Sequence, residues 1–553
     1  MRKSIVLLGL SLTLALLVPG LARAQAAGEN DPVMGSVGDR GRILLVLPFD
    51  NRSGQPSLEW IREAAAEILS SRLAAAGFAP MSRADRMYAL DHLGFPEGFH
   101  PSRATSIKLA ETLDADAIIV GSFITDGGAI VAQAQVVDVP HLRMSQPVTA
   151  RGPMNSMIPV FGRLAWKLAR QLDPGFSGSQ QTFVSAGSNL RLDAFEQYIR
   201  GITEPDQAER LRHLNLAVQL SPEYAKAWMA LGREEYADQQ YEQAAQAFSR
   251  VSSSGSERSD ALEAGFYDGL SLLFSGDYAG AEKAFAGVAR VLPLAEVLND
   301  QGVALARQGK DGVPFFRRAV AADPSDSDYH FNLAVSLKRR GNAAEAMAEL
   351  AQCLRLNPND NEARTVQRAW SEAGEATGSS AGDASGESQD SAEVAVDPLE
   401  RIKRSFDVAG FRQAFSMLNQ VETARLAVLP PSERAQRLSL QARGYLDHGL
   451  LLEAERSYQA ALAADSGCAE AHAGMAEIDE RTGDLAAARK EATLSLERMP
   501  SIDAYLVLGR VNLATGRLDQ AGQNADAALK IDPASKPALA LRQRIAAMSK
   551  EKK

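Results

Sequence analysis

The sequence is poor in cysteine and in positive charge, and both shortages exclude classes of protein. Two cysteines among 553 residues, Cys353 and Cys468, provide no framework of disulfide bonds. For Cys353 the pattern favours a small buried residue in a helix contact over a disulfide partner. The net charge of −10 argues against a nucleic-acid-binding protein, which would need lysine and arginine to neutralise phosphates. A chain of this length is too long for a single core and predicts several domains.

Motifs of enzymes and metal sites are also missing. The sequence has no phosphate-binding GxxxxGK[ST] loop, no GxGxxG after a strand, no GxSxG and no HExxH. The closest pair of the seven histidines, His92 and His100, is interrupted by Pro96 and Gly98, which favours isolated surface residues over a metal site. The turn at residues 50–57 could bind an anion on its backbone amides, although a plain connecting turn is favoured. We therefore predict no catalytic residues, no metal and no cofactor.

The amino terminus has the pattern of a secretory signal peptide. Arg2 and Lys3 precede an apolar run at residues 5–18, and Ala22-Arg23-Ala24 supplies small residues at the cleavage site. Because Gln25 follows where a lipoprotein would need cysteine, we predict a cleaved signal and a bacterial periplasmic or secreted product. No transmembrane span is expected after cleavage. An uncleaved membrane anchor is the alternative interpretation.

Residues 42–174 alternate strand and helix patterns. A continuous apolar run at residues 42–49 predicts a strand that is buried on both faces. Two further strands, 117–124 and 129–139, flank the Asp126-Gly127-Gly128 triplet, which is typical of a hairpin turn. The order of elements predicts an α/β domain that can build its own core.

Two segments of this domain resemble a known family. They are LVLPFDNRSG at residues 45–54 and DAIIVGS at residues 116–122, and they are similar to the amino-terminal domain of TolB and to TolB-like modules fused to repeats. The resemblance implies a recognition domain on the envelope side of the cell and no reaction. The β-propeller of that family has no counterpart here, so a role in the Tol-Pal system is not implied.

The rest of the chain repeats a helical pair. Its most regular copy, residues 327–360, has small and apolar residues on the first helix, Gly341 at the turn and Pro358 at the end. Copies at this spacing resemble the tetratricopeptide repeat, whose unit is about 34 residues long. We expect five copies before an acidic stretch and four after it. The first of the later copies is a degenerate hairpin around Phe406 to Leu418.

The predicted fold class is an α/β amino-terminal domain followed by two all-α tetratricopeptide-repeat solenoids. The predicted order is a signal peptide at 1–24, a disordered lead at 25–41, the TolB-like α/β domain at 42–174, a flexible linker at 175–190, a first array with a capping helix at 191–372, an acidic disordered linker at 373–397, a second array with a capping helix at 398–549 and a charged tail at 550–553.

The concave face of the first array is the predicted binding site. The first helix of each pair lines this face in such an array, and the side chains expected to point into it are Arg233, Tyr236, Phe266, Leu270, Asn299, Arg307, Phe331, Lys338 and Arg339. The mixture of aromatic and cationic groups suits a peptide or helix of some acidic character. Packing between repeats is the alternative for several of them.

These patterns favour a non-enzymatic scaffold that mediates protein–protein interactions in the bacterial cell envelope. Its expected partners are other envelope proteins or peptide segments, with the acidic linker letting the two arrays bind separately. The alternative is an envelope receptor whose α/β domain binds an anion or a cell-wall fragment.

Overall fold

In the computed structural model the first part of the chain folds around a mixed β-sheet. The structure describes residues 42–95, 102–187, 189–253, 258–379, 397–405 and 407–551. The predicted signal peptide, the disordered lead, His100 and most of the acidic linker therefore lie outside the described residues. The elements of the α/β part are β1 (Ile43–Val46), β2 (Asp50–Asn51), α1 (Ile61–Ala75), β3 (Ala79–Pro80), α2 (Arg83–His92), α3 (Arg103–Thr112), β4 (Ala117–Asp126), β5 (Ala129–Asp138), β6 (Arg143–Met144), β7 (Val148–Pro153), α4 (Met157–Leu172) and α5 (Gln180–Ser185).

The sheet has the order β3-β1-β4-β5-β6, with β2 beside β4 and β7 beside β5. β1 runs parallel to both β3 and β4, whereas β4 and β5 form the predicted antiparallel hairpin. Gly127 and Gly128 have φ angles of 57° and 80°. A tight two-residue turn needs positive φ at both positions, which glycine adopts without strain. The hairpin prediction is confirmed.

Helices cover both faces of the sheet. Leu44 and Val46 of β1 pack into a core with α1 and α4, and Leu45 lies in a second core with α2 and α3. This arrangement confirms that the first strand is buried on both faces. The strand is shorter than the predicted 42–49 because Pro48 has no amide hydrogen for the ladder.

The predicted flexible linker at 175–190 instead contains the short helix α5. Phe183 is fully buried, and its carbonyl lies so close to Gly162 of α4 that any Cβ there would clash. A linker rich in glycine, serine and glutamine was expected to stay flexible, but one phenylalanine anchors it in the core of the α/β domain.

The first array contains five helical hairpins and a closing helix among the described residues, as predicted. Its helices are α6 (Leu192–Thr203), α7 (Gln207–Leu220), α8 (Ala225–Ala237), α9 (Tyr241–Ser253), α10 (Arg258–Ser275), α11 (Tyr278–Val291), α12 (Ala295–Arg307), α13 (Val313–Ala322), α14 (Ser327–Arg339), α15 (Ala343–Leu356) and α16 (Asn361–Ser379).

Small residues let the two helices of a pair approach closely. A Cβ added at Gly302 of α12 would lie 2.8 Å from the ring of Phe316 in α13, and one added at Gly269 would lie 2.7 Å from Phe285. Such distances are shorter than van der Waals contact, so glycine is required at these crossings. Cys353 is fully buried and free of disulfide bonding, as is Cys468, which confirms the interpretation of Cys353 as a small core residue.

The second array differs from the prediction at its start. Its helices are α17 (Val408–Ala427), α18 (Pro431–Asp447), α19 (Leu451–Ala464), α20 (Ala469–Thr482), α21 (Leu485–Arg498), α22 (Ile502–Ala514), α23 (Leu518–Ile531) and α24 (Lys536–Glu551). The expected degenerate hairpin is the single helix α17, and three hairpins follow it in the described residues. Residues 397–405, placed by prediction at the boundary of this array, form neither helix nor strand.

The second array also packs against the α/β domain. Glu455 of α19 accepts a hydrogen bond from the backbone amide of Ser179 at 2.8 Å, and Gln459 pairs with Ser177. Leu452 of α19 joins the core formed by α1 and α4. The two arrays are therefore held in one assembly with the α/β domain, contrary to the expectation of independently moving arrays.

Candidate functional site

An extended stretch of the chain lies in the concave groove of the first array. This stretch, residues 397–405 and called the groove segment below, has the sequence DPLERIKRS and contacts side chains from α8, α10, α12, α14 and α16. The first helices of the hairpins thus line one continuous surface, as expected for a solenoid. The groove is occupied along its length by polypeptide.

Two asparagines recognise the main chain of the groove segment. Asn332 accepts a hydrogen bond from the amide of Arg401 at 2.6 Å and donates to its carbonyl at 2.7 Å. Asn299 donates to the same carbonyl at 3.0 Å, and the two amide groups are joined at 2.8 Å. Asp300 accepts from the amide of Lys403 at 2.9 Å. Because these bonds go to backbone atoms, they require an extended segment and no particular side chain.

The side chain of Arg401 is the central charged contact. Its guanidinium lies 3.7 Å from the ring centroid of the buried Phe331. It donates to both carboxylate oxygens of Asp360, at 2.6 and 3.0 Å, and also to Asp328 and Glu362. A planar guanidinium fits this combination of stacking and two-point carboxylate binding in a way that an ammonium group does not.

The neighbouring basic residues extend the contact along the groove. The ammonium of Lys403 lies 2.7 Å from carboxylate oxygens of both Asp326 and Asp328. The guanidinium of Arg404 lies 5.2 Å from the ring centroid of Phe274, and the Tyr236 hydroxyl donates to the Arg404 carbonyl. This half of the groove is acidic and aromatic.

The opposite half of the groove is cationic. The carboxylate of Glu400, which is fully buried, is bound by Arg339 and lies 3.7 Å from Arg307. Arg339 also donates to the Pro398 carbonyl at 2.7 Å and pairs with Asp397 at 3.0 Å. The groove therefore separates its charges, with arginines where the segment begins and carboxylates further along.

The ion pairs change the acidity of the groove carboxylates. Burial raises the pKa of Asp328, but hydrogen bonds from Lys403 and Arg401 outweigh it and leave that pKa below its usual value. Asp360 follows the same balance, with Arg401 as its main partner, and its pKa is also lowered. Asp300 is fully buried, and this burial raises its pKa well above the usual value despite the Lys403 amide.

Five of the nine residues predicted to line the groove contact the groove segment. They are Tyr236, Asn299, Arg307, Phe331 and Arg339. The other four are placed elsewhere. Phe266 and Leu270 are buried in the core, Arg233 pairs with Glu263, and the Lys338 ammonium lies over the Trp370 ring. Phe266 and Leu270 therefore pack between repeats, which was the alternative interpretation for several of the nine residues.

The acidic side of the groove was missed by the sequence analysis. Asn332, Asp328, Asp360 and Glu362 contribute much of the contact with Arg401 but were not among the predicted residues. One signal was present in the sequence, because Asn299 and Asn332 are 33 residues apart, close to one repeat. The expectation of some acidic character fits Asp397 and Glu400, which pair with Arg339, whereas the basic Arg401, Lys403 and Arg404 were not expected.

The corresponding face of the second array is charged, but its charges pair with each other. Arg443 and Arg481 both bind Glu477, and Arg510 binds Glu480 through two contacts of 2.6 Å. The Arg443–Glu477 and Arg510–Glu480 pairs connect α18, α20 and α22 of successive hairpins, whereas the Arg481–Glu477 pair lies within α20.

Other features of the sequence have ordinary structural surroundings. His92 stacks with Tyr88 at a centroid distance of 6.1 Å. Across the described ranges, no group of histidine, cysteine and carboxylate side chains has the arrangement of a metal site. In the same part of the chain, no helix combines the length and apolar content needed to cross a membrane.

The fold and the groove define a helical-repeat protein with a surface that holds extended polypeptide. The repeats are tetratricopeptide repeats, because family models described as tetratricopeptide repeat match residues 311–361, 439–501 and 502–535. A search of curated proteins gives no significant match. The resemblance of residues 42–174 to the TolB domain remains a prediction.

Solved structures similar to parts of the chain include YrrB, MamA and the C-terminal domain of LpoB. YrrB, described as a TPR protein with an unusual peptide-binding site, is 17% identical over 37% of this chain and 98% of its own, with a TM-score of 0.28. MamA from Desulfovibrio magneticus RS-1 is 20% identical over 31% of this chain and 99% of its own, also with a TM-score of 0.28. The LpoB C-terminal domain from Salmonella enterica is 22% identical over 21% of this chain and 84% of its own, with a TM-score of 0.19.

Proposed function

We propose that the protein is a non-enzymatic scaffold of the bacterial periplasm or cell exterior that binds extended segments of envelope proteins in the groove of its first array. Tetratricopeptide repeats generally mediate protein–protein interactions and generally lack catalytic groups. The observation that carries the proposal is the recognition of a polypeptide backbone by Asn299 and Asn332. Hydrogen bonds to main-chain atoms are the basis of affinity for extended peptides.

The compartment in this proposal depends on the amino-terminal sequence. Residues 1–24 have the charged, apolar and small-residue order of a secretory signal, and the next residue is not the cysteine of a lipoprotein. Fractionation of cells that produce the tagged full chain tests the assignment. Recovery in the cytosolic fraction with an intact amino terminus would contradict it.

Binding through the groove is tested by a matched pair of charge reversals in the full chain. Arg339 binds Glu400 and the Pro398 carbonyl inside the groove, whereas its neighbour Arg340 pairs with Asp311 outside it. Pull-downs from envelope extracts with wild type, Arg339→Glu and Arg340→Glu should give shared partners for wild type and Arg340→Glu. Those partners should be lost with Arg339→Glu. Identical partner lists for all three proteins would contradict binding at the groove.

One observation favours the alternative of a receptor for a small anion. A cleft of about 670 Å³ lies between α1, the start of α8 and the α18–α19 turn. Arg72 of α1 lines it, and burial lowers the pKa of this arginine to about 10. Its Nε atom is buried without a hydrogen-bond partner among the described residues. The guanidinium donates to the Ala186 carbonyl and has Glu453 as a charged neighbour, and an anion in the cleft would add a partner for the Nε atom.

A thermal-shift experiment separates the two functions. Inorganic phosphate should raise the melting temperature of the full chain above that in sodium chloride of equal ionic strength if the cleft is a receptor site. The gain should disappear in Arg72→Gln. Equal melting temperatures in both salts would count against the receptor.

A further inference from the structure

The groove is filled by a segment that belongs to the same chain and is continuous with the second array. Helix α16 ends at Ser379 and α17 begins at Val408, so the groove segment lies between the last helix of one array and the first helix of the next. It is therefore a tethered occupant of the surface for which binding of other polypeptides is proposed above.

The contacts of the groove segment define a pattern of side chains. Glu400 is recognised by the arginines of the cationic half, and Arg401 and Lys403 by carboxylates of the acidic half. Pro398 is buried as well, whereas Leu399 between it and Glu400 is 57% exposed. The pattern that the groove reads is Pro-x-Glu-Arg-x-Lys in extended conformation.

The interactions are of a kind that allows exchange. One large apolar side chain of the groove segment, Ile402, packs against the core and is only partly buried, whereas Leu399, Arg404 and Ser405 are exposed. Most of its other contacts are backbone hydrogen bonds and ion pairs, some of which reach the groove surface, such as that between Arg401 and the half-exposed Glu362. A segment held in this way can leave without opening the hydrophobic core of the array.

We propose that the partner of this groove is an extended protein segment with a Pro-x-Glu-Arg-x-Lys pattern, and that residues 397–405 compete with it as a tethered occupant. The inference rests on the proposed function of the first array. A tether keeps its ligand at a high local concentration, so a free segment of equal intrinsic affinity binds the intact protein poorly. Partner binding then requires displacement of the groove segment.

The experiment uses the full chain and a fluorescent peptide of sequence DPLERIKRS as the probe. Arg401→Glu places a carboxylate against Asp328, Asp360 and Glu362 and should expel the groove segment. Because flexible tethers give effective concentrations in the millimolar range, the variant should bind the peptide about 10- to 100-fold more tightly than wild type. Fluorescence anisotropy measures both dissociation constants.

The matched control is Arg425→Glu, the same charge reversal at an exposed position of α17. It should bind the peptide as weakly as wild type does. A peptide in which the position of Arg401 carries glutamate should not bind any of the three proteins. Circular dichroism verifies that helicity is retained, and Lys403→Glu, which opposes Asp326 and Asp328, is the second variant if Arg401→Glu does not fold.

The possible outcomes distinguish failure of the tethered competitor from failure of the groove as a peptide site. Equal and measurable affinity of wild type and Arg401→Glu would overturn the tethered competitor while leaving the groove as a peptide site. Absence of binding to both variants that release the segment would overturn the groove function as well. Equal binding of the charge-reversed peptide would overturn the proposed side-chain pattern.

Discussion

The concave faces of the two arrays are both charged, yet they use their charges differently. In the first array Asn299, Asn332 and the surrounding carboxylates bind a segment from outside the repeats. In the second array Arg510 and Glu480 bind each other across neighbouring hairpins. The comparison shows that charge on a concave face does not by itself define a binding site. Buried polar groups directed at a separate main chain are the better indicator, because leaving them without partners is costly.

The largest effect is expected from removing the asparagines of the first groove. Asn299→Ala combined with Asn332→Ala deletes three hydrogen bonds to Arg401 and should weaken occupancy of the groove by about 2 to 4 kcal/mol. Hydrogen exchange of the amides in residues 397–405 should accelerate accordingly. The matched control is Asn512→Ala on α22, where Asn512 accepts hydrogen bonds from Arg489 and Arg517 within the second array. Unchanged exchange in the double variant would show that the asparagines do not hold the segment.

Acidification should also release the groove segment. The pKa values of Asp328 and Asp360 are lowered in the folded protein, so their ion pairs contribute fully above the ordinary carboxyl range and are lost as the pH falls through the lowered values. Exchange of residues 397–405 should stay slow from pH 7 to about pH 4, the ordinary carboxyl value, and become fast only at still lower pH, after correction for intrinsic rates. Exchange within α22 should remain slow over the same titration. Simultaneous loss of protection in both regions would indicate global unfolding instead.

A carboxyl group with a raised pKa in each array, the buried Glu235 and the half-buried Asp479, provides the next test. Burial raises the pKa of Glu235 on α8 to about 7, and burial together with Glu491 raises that of Asp479 on α20 to about 7. The pKa of each carboxyl is higher in the folded protein than in the unfolded chain. Its contribution to the free energy of unfolding is therefore fully present below the pKa of the unfolded chain and is lost as the pH rises through about 7. Glu235→Gln should therefore stabilise the protein at pH 8, by up to about 3 kcal/mol, and much less at pH 5.

Asp479→Asn is the matched change in the second array and should act in the same direction. Urea unfolding at both pH values measures the effect. A gain of the same size at pH 5 and pH 8 would mean that packing, and not ionisation, is responsible. A gain in stability at pH 8 for only one of the two variants would show that ionisation of the carboxyl destabilises one array and not the other.

The smallest effect is expected for the ion pairs of the second array. Arg510→Ala removes a two-point contact with Glu480 that is partly exposed, so the loss of stability should be about 1 kcal/mol or less. Affinity for the DPLERIKRS peptide should not change, because Arg510 pairs with Glu480 of its own array and not with the groove segment. A lower peptide affinity in this variant would show that the two arrays are coupled.

The repeats and the hairpin could be predicted because their patterns are local. Gly341 has a φ of 81° at the turn between α14 and α15, and the alternation of buried and exposed residues in β5 follows the period of a strand. In contrast, α5 is fixed by tertiary contacts of Phe183 with Gly162 and Phe176, which no periodic pattern in the sequence predicts. The degenerate hairpin predicted around Phe406 to Leu418 is instead part of the single helix α17.

The sequence by itself determined the α/β class, the helical hairpins and five side chains that reach the groove, because turn residues and apolar spacing act over a few residues. Only the tertiary structure decided that residues 397–405 fill the groove and that the second array rests on the α/β domain. Arg401 meets Asn299 across 102 positions of the chain and Asn332 across 69. Such pairings depend on how complete helices pack against one another. No local pattern in a single sequence predicts that packing.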